Sequence, residues 1–206
     1  MKTITLVAIA LLGFTSCSND DDATPLLAVE AETVSNLHAP QTGGQGQPIG
    51  GEFTKFDFST GATTTSDTDW DIAFRGTTII VNGGESQGTT DEPTRTGNAA
   101  AYITSNTFAG VTSVDENLFA QDSQSELAIP TGSDNGWYNY NSATFTITPL
   151  AGKILVFRTA DNKYAKIEIL SYYENAPVTP DPFTDASRYF TFNYVYQPNN
   201  GVTTFE

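Results

Sequence analysis

The sequence predicts an all-β fold, a single antiparallel domain with sandwich-like layers. Three observations support this prediction. Apolar and polar residues alternate at a spacing of two in several segments, as in strands that bury one face. Turn signals such as Asn82-Gly83-Gly84 separate these segments. No window shows the 3.6-residue spacing of a long amphipathic helix, so layered sheets are favoured.

The chain begins with a segment typical of a secretory signal peptide. Lys2 precedes an apolar run at residues 4–12, which is too short to span a membrane. Residues 14–17 resemble a bacterial lipobox, and Cys17 is the only cysteine, so no disulfide can form within the chain. We predict that residues 1–16 are removed and that Cys17 becomes the lipid-modified N-terminus. Its acyl chains would hold the protein at a membrane without a spanning helix.

Residues 17–48 are predicted to form a flexible, lipid-anchored tether, because their composition offers little apolar surface to bury. Asp20, Asp21 and Asp22 form an acidic cluster directly after Cys17. The cluster resembles the signal that sends lipoproteins of some Gram-negative bacteria to the outer face of the outer membrane. The alternative is a solvated charge run without a role. His38, the only histidine, falls in this tether, where a solvated side chain is expected.

The β domain is predicted over residues 49–206, a length suited to one core. In its first part, Trp70, Ile72 and Phe74 alternate with other residues and predict a strand. Gly76 predicts a kink or turn, and residues 77–81 predict a second strand. No internal repeat of 20 to 50 residues is present, which excludes solenoids and propellers.

The second part of the domain contains a predicted hairpin and a last strand. Residues 153–159 and 163–170 flank Ala160-Asp161-Asn162, of which Asp161-Asn162 can adopt the positive φ angles of a two-residue turn. These two strands are therefore expected to pair antiparallel. Residues 188–196 predict a further strand, richer in aromatic residues than one buried face requires.

Three aspartates recur at every second position near the first hairpin. Asp67, Asp69 and Asp71 resemble the start of a calcium loop, but Ile72 stands where such a loop needs glycine. No metal site is therefore predicted. We expect a solvent-facing strand edge in which Asp69 or Asp71 pairs with Arg75.

Charge and composition exclude several functions. The formal net charge is −15, which argues against nucleic acid and anionic lipid surfaces, since both require basic patches. The predicted domain holds no histidine and no cysteine, so a nucleophilic triad cannot be built from the usual groups. A binding function, rather than an enzyme, is predicted.

One aromatic block stands out. Trp137, Tyr138 and Tyr140 precede a predicted strand in which Ala143, Phe145 and Ile147 would share one face. Such a block can serve as a ligand platform or can simply fill the core. The sequence pattern leaves both interpretations open.

Several of these segments together resemble the HmuY family. The matching motifs are WDIAF at residues 70–74 with NGG at 82–84, WYNY at 137–140 and RTADNKYAKI at 158–167. They occur in order and cover most of the predicted domain. The resemblance implies an all-β lipoprotein of the outer membrane. Characterised members of the family bind haem and deliver it to a transport system.

The resemblance also implies a ligand site. It places Phe145 where haem-binding members carry an axial histidine. Residues 39–206 contain no His, Met or Cys, so tyrosine alone remains among the usual ligands of haem iron. The predicted ligand-binding residues are Trp137, Tyr138, Tyr140 and Phe145, and Tyr102 is a further tyrosine to consider.

We therefore predict a lipid-anchored protein of the outer membrane that faces the cell exterior. It would bind haem, a related tetrapyrrole or another small apolar ligand without His or Met axial ligation, with an outer-membrane transport receptor as partner and no other cofactor. It would contact the membrane only through its lipid anchor. The alternative is a module with the HmuY fold that has lost haem and recognises a glycan or a partner protein.

Overall fold

The structure of the chain, a computed structural model, describes residues 25–44 and 46–206. Apart from one short 3-10 helix at Glu116–Leu118, the regular structure in these residues consists of strands, which confirms the predicted all-β class. The strands in chain order are β1 (Glu30–His38), β2 (Thr42–Gly44), β3 (Gln47–Gly50), β4 (Thr54–Asp57), β5 (Ala62–Thr64), β6 (Ile72–Arg75), β7 (Thr78–Val81), β8 (Ala100–Ser105), β9 (Tyr138–Asn141), β10 (Thr146–Pro149), β11 (Lys153–Arg158), β12 (Tyr164–Tyr173) and β13 (Ser187–Gln197).

Two antiparallel sheets form the body of the protein. The larger sheet has the order β1-β13-β12-β11-β8, and the smaller has the order β5-β4-β6-β7. Two separate hairpins, β9-β10 and β2-β3, accompany them. The layered arrangement agrees with the predicted sandwich.

The core lies between the two sheets and is rich in phenylalanine. Rings of the smaller sheet meet rings of the larger one at centroid distances typical of aromatic pairs. Phe74 lies 4.9 Å from Phe190, and Phe56 lies 5.5 Å from Phe192. All four of these side chains are fully buried. This apolar contact between the inner faces holds the sheets together.

The hairpin predicted around Gly76 is confirmed. β6 and β7 pair antiparallel, and Gly76 has a φ of +55° in the turn between them. Every residue of β6 is buried, because the smaller sheet is covered on both faces. Phe74 packs into the central core, whereas Ala73 packs with Trp70 in a second cluster on the outer face.

The antiparallel pairing predicted for β11 and β12 is also confirmed. The connection is longer than the predicted two residues. The last strand pair is Arg158 with Tyr164, and beyond it the Thr159 N–H donates to the Lys163 carbonyl at 2.8 Å. Asn162 alone in this loop has a positive φ, +66°.

The predicted tether is wrong for part of residues 17–48. β1 is an outer strand of the larger sheet and pairs antiparallel with β13. Leu37 of β1 is buried in the central core, so this segment does bury apolar surface. A register shift between Val34 and Leu37, with Asn36 at a φ of +58°, breaks the alternation that would have marked a strand.

His38 therefore belongs to the folded domain, contrary to the expectation of a solvated tail residue. It ends β1 opposite Tyr189, and the two rings stack with a centroid distance of 4.4 Å and an angle of 14°. The side chain of His38 remains exposed.

The predicted pairing of Arg75 with a neighbouring aspartate is wrong. Arg75 is only 4% exposed, and its guanidinium lies 4.1 Å over the ring of Phe53. Its N–H groups donate to the Gly51 carbonyl and to Thr89 Oγ1, at 3.2 and 2.8 Å. The arginine thus fixes a loop on the outer face of the smaller sheet.

Asp71 is likewise buried rather than solvent-facing. Its carboxylate accepts hydrogen bonds from the backbone N–H of Phe58 at 2.9 Å and of Ala160 at 2.7 Å. Burial raises the pKa of Asp71 to about 6, although both hydrogen bonds act in the opposite direction. Asp67 and Asp69 are exposed, as predicted.

The predicted signal peptide at residues 1–16, the lipidation site Cys17 and the acidic cluster of Asp20, Asp21 and Asp22 lie outside the described residues. Within residues 25–44 and 46–206, no helix combines the length and apolar character needed to cross a membrane.

Candidate functional site

The aromatic block at residues 137–147 divides into a buried half and an exposed half. Trp137 and Tyr138 are 1% and 8% exposed, whereas Tyr140 and Phe145 are 43% and 56% exposed. The four predicted ligand-binding residues therefore do not form one surface. Only Tyr140 and Phe145 present their rings to solvent.

Trp137 belongs to the core and anchors the β9-β10 hairpin. Its indole N–H donates to the Thr77 carbonyl at 3.0 Å, and its ring lies 5.1 Å from that of Phe190. Tyr138 packs against Trp137 at 4.9 Å, and its hydroxyl lies 3.5 Å from Thr77 Oγ1. Both rings are buried and pack, tilted, against each other and against core residues, so neither presents a face to solvent where a ligand could bind.

Phe145 lies in a turn rather than in a strand. β10 begins at Thr146, which pairs with Asn141, so residues 142–145 form the hairpin loop. Phe145 has a φ of +56°, a left-handed conformation that is costly for a residue with a Cβ. The strand alternation that was expected to orient Phe145 therefore does not apply.

A second exposed aromatic residue meets Phe145. Phe183 lies in the connection between β12 and β13 and is 82% exposed. The two rings are 6.2 Å apart between centroids at an angle of 68°, an edge-to-face contact. We call Phe145 and Phe183 the aromatic pair. Val178, in the same connection, is also fully exposed.

The hairpin that carries Phe145 and Tyr140 is held from both sides. Ser133 Oγ accepts a hydrogen bond from the Tyr140 N–H at 2.8 Å, next to the start of the hairpin loop. On the other strand, the Ile147 N–H donates to the hydroxyl of Tyr173 at 3.0 Å. Because Tyr173 ends β12, the same residue lies at the start of the connection that carries Phe183. Tyr173 thus links the hairpin that carries Phe145 to the strand from which the connection with Phe183 begins.

Phe183 was not among the predicted site residues. A signal for it exists, because phenylalanine in the polar segment around Pro180, Asp181 and Pro182 has few apolar neighbours with which to pack. Contiguous exposed apolar side chains, rather than single ones, mark binding surfaces, and Phe183 is of interest because it contacts Phe145.

The side chains that could hold haem iron are few in the described residues. They contain one histidine, His38, and no methionine or cysteine. Among the tyrosines of this part of the chain, only Tyr140 is exposed, and the others are buried or half-buried. Tyr102 is 8% exposed, and its hydroxyl accepts a hydrogen bond from the Asp115 N–H at 3.0 Å. Its oxygen therefore already has a partner within the protein. Among residues 25–44 and 46–206, no group of three or more His, Cys, Asp or Glu could hold a metal ion.

These donors allow haem ligation by tyrosine but not by two histidines or by histidine and methionine. Axial ligation by two histidines, or by histidine and methionine, requires residues that the described part of the chain does not provide. A flat apolar ring against the aromatic pair, with Tyr140 as the available iron ligand on the same hairpin, agrees with the exposed side chains.

Three solved structures resemble this fold. A candidate lipoprotein of Bacteroides fragilis has a TM-score of 0.48 and 16% sequence identity, over 83% of this chain and 90% of that chain. The apo HmuY analog of Tannerella forsythia has a TM-score of 0.47 and 14% identity, over 84% and 99% of the two chains. A candidate HmuY-like haem-binding protein of Bacteroides vulgatus has a TM-score of 0.42 and 14% identity, over 83% and 93%.

The family of the chain follows from its sequence. No curated protein matches the chain. The family described as HmuY protein matches residues 51–194, which include β4 to β12 and most of β13. The match covers well over half of the sequence and contains all the motifs on which the resemblance was based. This chain belongs to the HmuY family.

Proposed function

We propose that this chain is a surface lipoprotein that captures haem or a related tetrapyrrole at the aromatic pair. The observation that supports the proposal most is the contact between Phe145 and Phe183, two exposed rings on separate elements. Phe145 holds its ring there in a backbone conformation that costs about 1–2 kcal/mol. Such strain at an exposed residue suggests a role in binding rather than in folding.

The magnitude of aromatic contact sets a limit on affinity. Fully burying an exposed phenylalanine side chain contributes about 1.5–3 kcal/mol, so two rings that are 56% and 82% exposed supply roughly 2–4 kcal/mol. That free energy corresponds to dissociation constants of about 1 mM or weaker. Tighter binding therefore needs a further interaction.

Tyr140 is the residue that could supply it. A tyrosine oxygen can serve as an axial ligand, and haem iron would accept that oxygen when haem is bound. The exposed ring of Tyr140 stands on the hairpin that also carries Phe145. Haem should then bind more tightly than the same macrocycle without iron.

The cellular setting that we propose follows from the N-terminal sequence. Cys17 would carry the lipid anchor, and Asp20, Asp21 and Asp22 would direct the protein to the outer face of the outer membrane. An outer-membrane transport receptor is the expected partner, because a captured tetrapyrrole must be passed across that membrane.

The test is a titration of the chain with haem and with metal-free protoporphyrin. Phe183→Ala should weaken the binding of both, because it removes half of the aromatic pair. Tyr140→Phe should weaken only the binding of haem. Tyr189→Phe removes a hydroxyl elsewhere and serves as the control.

Binding of both compounds that is unchanged in Phe183→Ala would contradict the proposed site. Equal affinity of the native chain for haem and for protoporphyrin would contradict the role of Tyr140.

A further inference from the structure

The structure contains a polar groove on the outer face of the smaller sheet. It has a volume of about 730 Å³, within the range of about 300–1,000 Å³ typical of small-molecule sites. One wall is formed by β4 and β5 with the segment that follows β5, and the other by residues 91–96. Neither Phe145 nor Phe183 lines this groove, so it is separate from the aromatic pair.

Two buried arginines fix the wall at residues 91–96. The connection from β7 to β8 is a long loop without regular structure, and such loops are usually functional or disordered. Arg75 donates to Thr89 Oγ1 at 2.8 Å, and Arg95 pairs with Glu92 at 2.6 Å and with Asp122 at 3.0 Å. The side chains of Arg95 and Glu92 are 2% and 3% exposed. The groove is thus preorganised, which lowers the entropic cost of binding.

Hydroxyl groups dominate the lining. Seven of the fifteen lining residues are threonines, and Thr63, Thr65 and Thr94 are among the exposed ones. A threonine hydroxyl both donates and accepts hydrogen bonds, and its methyl group offers a small apolar contact. This combination matches the hydroxyls and the C–H faces of a sugar.

Charged groups complete the lining. Glu52 is exposed. Asp91 accepts a hydrogen bond from the Gly51 N–H at 3.0 Å with one carboxylate oxygen, and its other oxygen can accept one from a ligand. Lys55 uses two of its three N–H donors, on the Ser66 carbonyl and on Asp67. Carboxylates accept hydrogen bonds from neighbouring sugar hydroxyls, and a free ammonium donor serves a sugar oxygen.

The negative charge of the groove favours neutral sugars over acidic ones. Four carboxylates and one lysine line it, so its formal charge is negative. Phosphorylated, sulfated and uronic-acid ligands would be repelled. We propose that this groove binds a short neutral oligosaccharide, independently of the proposed binding of tetrapyrroles at the aromatic pair.

The test uses an array of neutral hexasaccharides, namely maltohexaose, cellohexaose, xylohexaose, mannohexaose and chitohexaose, with oligogalacturonate as the acidic arm. The native chain should bind at least one neutral probe and not the acidic one. Glu52→Gln and Thr94→Val should each weaken that binding about five- to tenfold. Glu52→Gln replaces one charged acceptor oxygen with an amide donor, and Thr94→Val removes a hydroxyl. Both residues are exposed, so both variants should fold normally.

Matched controls locate the effect. Glu85→Gln and Thr112→Val alter exposed residues of the same types outside the groove and should bind as the native chain does. Phe183→Ala should also bind the sugar normally, which separates this site from the aromatic pair. The proposal is overturned if no neutral probe binds, if the acidic probe binds equally well, or if Glu52→Gln and Thr94→Val leave the affinity unchanged.

Discussion

Replacing Phe145 with glycine should remove the ligand contact at a modest cost in stability. Phe145 is 56% exposed, so the substitution loses less than half of the about 1.5–3 kcal/mol of a fully buried phenylalanine, roughly 1 kcal/mol. It does remove the edge-to-face contact with Phe183, which contributes about 0.5–1.5 kcal/mol. Glycine also loses more backbone entropy on folding, at a cost of about 0.5–1 kcal/mol.

These losses are partly offset by relief of strain. At a φ of +56°, a residue with a Cβ costs about 1–2 kcal/mol that glycine does not. The free energy of unfolding should therefore fall by only about 1–2 kcal/mol. Trp137→Ala, in the same aromatic block, should cost about 3–5 kcal/mol because its ring is buried in the core.

Urea unfolding followed by far-ultraviolet circular dichroism measures both variants on the same scale. The reasoning is refuted if Phe145→Gly costs as much as Trp137→Ala, because Phe145 would then be part of the core. It is equally refuted if Trp137→Ala leaves stability unchanged. Phe145→Asn provides a check, since asparagine tolerates the left-handed conformation and should behave like glycine.

Three further predictions concern other parts of the chain. The pKa of Asp71 rises from 3.8 to about 6 on folding, so its contribution to stability is present below pH 3.8 and is lost as the pH rises through about 6. The free energy of unfolding of the native chain, relative to that of Asp71→Asn, should fall by about 2 kcal/mol between about pH 4 and pH 7, and parallel pH profiles of the two would contradict this. Cys17→Ser should abolish metabolic labelling with a fatty acid, and labelling that persists would exclude Cys17 as the lipidation site. Alanine at Asp20, Asp21 and Asp22 together should reduce protease accessibility on intact cells at equal expression, and unchanged accessibility would show that the cluster is only solvated.

Local signals in the sequence predicted the central hairpins well. The alternation around Ile72 and Phe74, with Gly76 beyond it, specifies β6 and β7 without reference to the rest of the chain. The same holds for β11 and β12 around Asn162. In each hairpin the turn residue and the apolar spacing both favour two paired strands, so the local preference of the sequence matches the final fold.

Elements that depend on distant contacts were not predictable in this way. β1 has a polar sequence because it is an outer strand, and its place is set by pairing with β13 far along the chain. The burial of Asp71 depends on the backbone N–H of Ala160, which approaches it only in the folded state. Neither partner is visible in the local pattern.

The candidate site was predicted in part for the same reason. Tyr140 and Phe145 were identified, but the turn at residues 142–145 contains no glycine or proline to mark it, so a strand was expected there. Phe183 was missed, because its contact with Phe145 joins two loops that are remote in sequence. Sequence could indicate the aromatic residues, and only the structure could show which of them share a surface.

The most direct test of the proposed function is the absorption spectrum of the native chain titrated with haem, beside that of Phe145→His. We expect the native chain to form a complex without the low-spin spectrum of bis-histidine or histidine-methionine ligation. Phe145→His should gain a histidine-ligated spectrum, because residue 145 is exposed at the proposed site. A low-spin histidine spectrum in the native chain, or no binding of haem by either protein, would contradict the account.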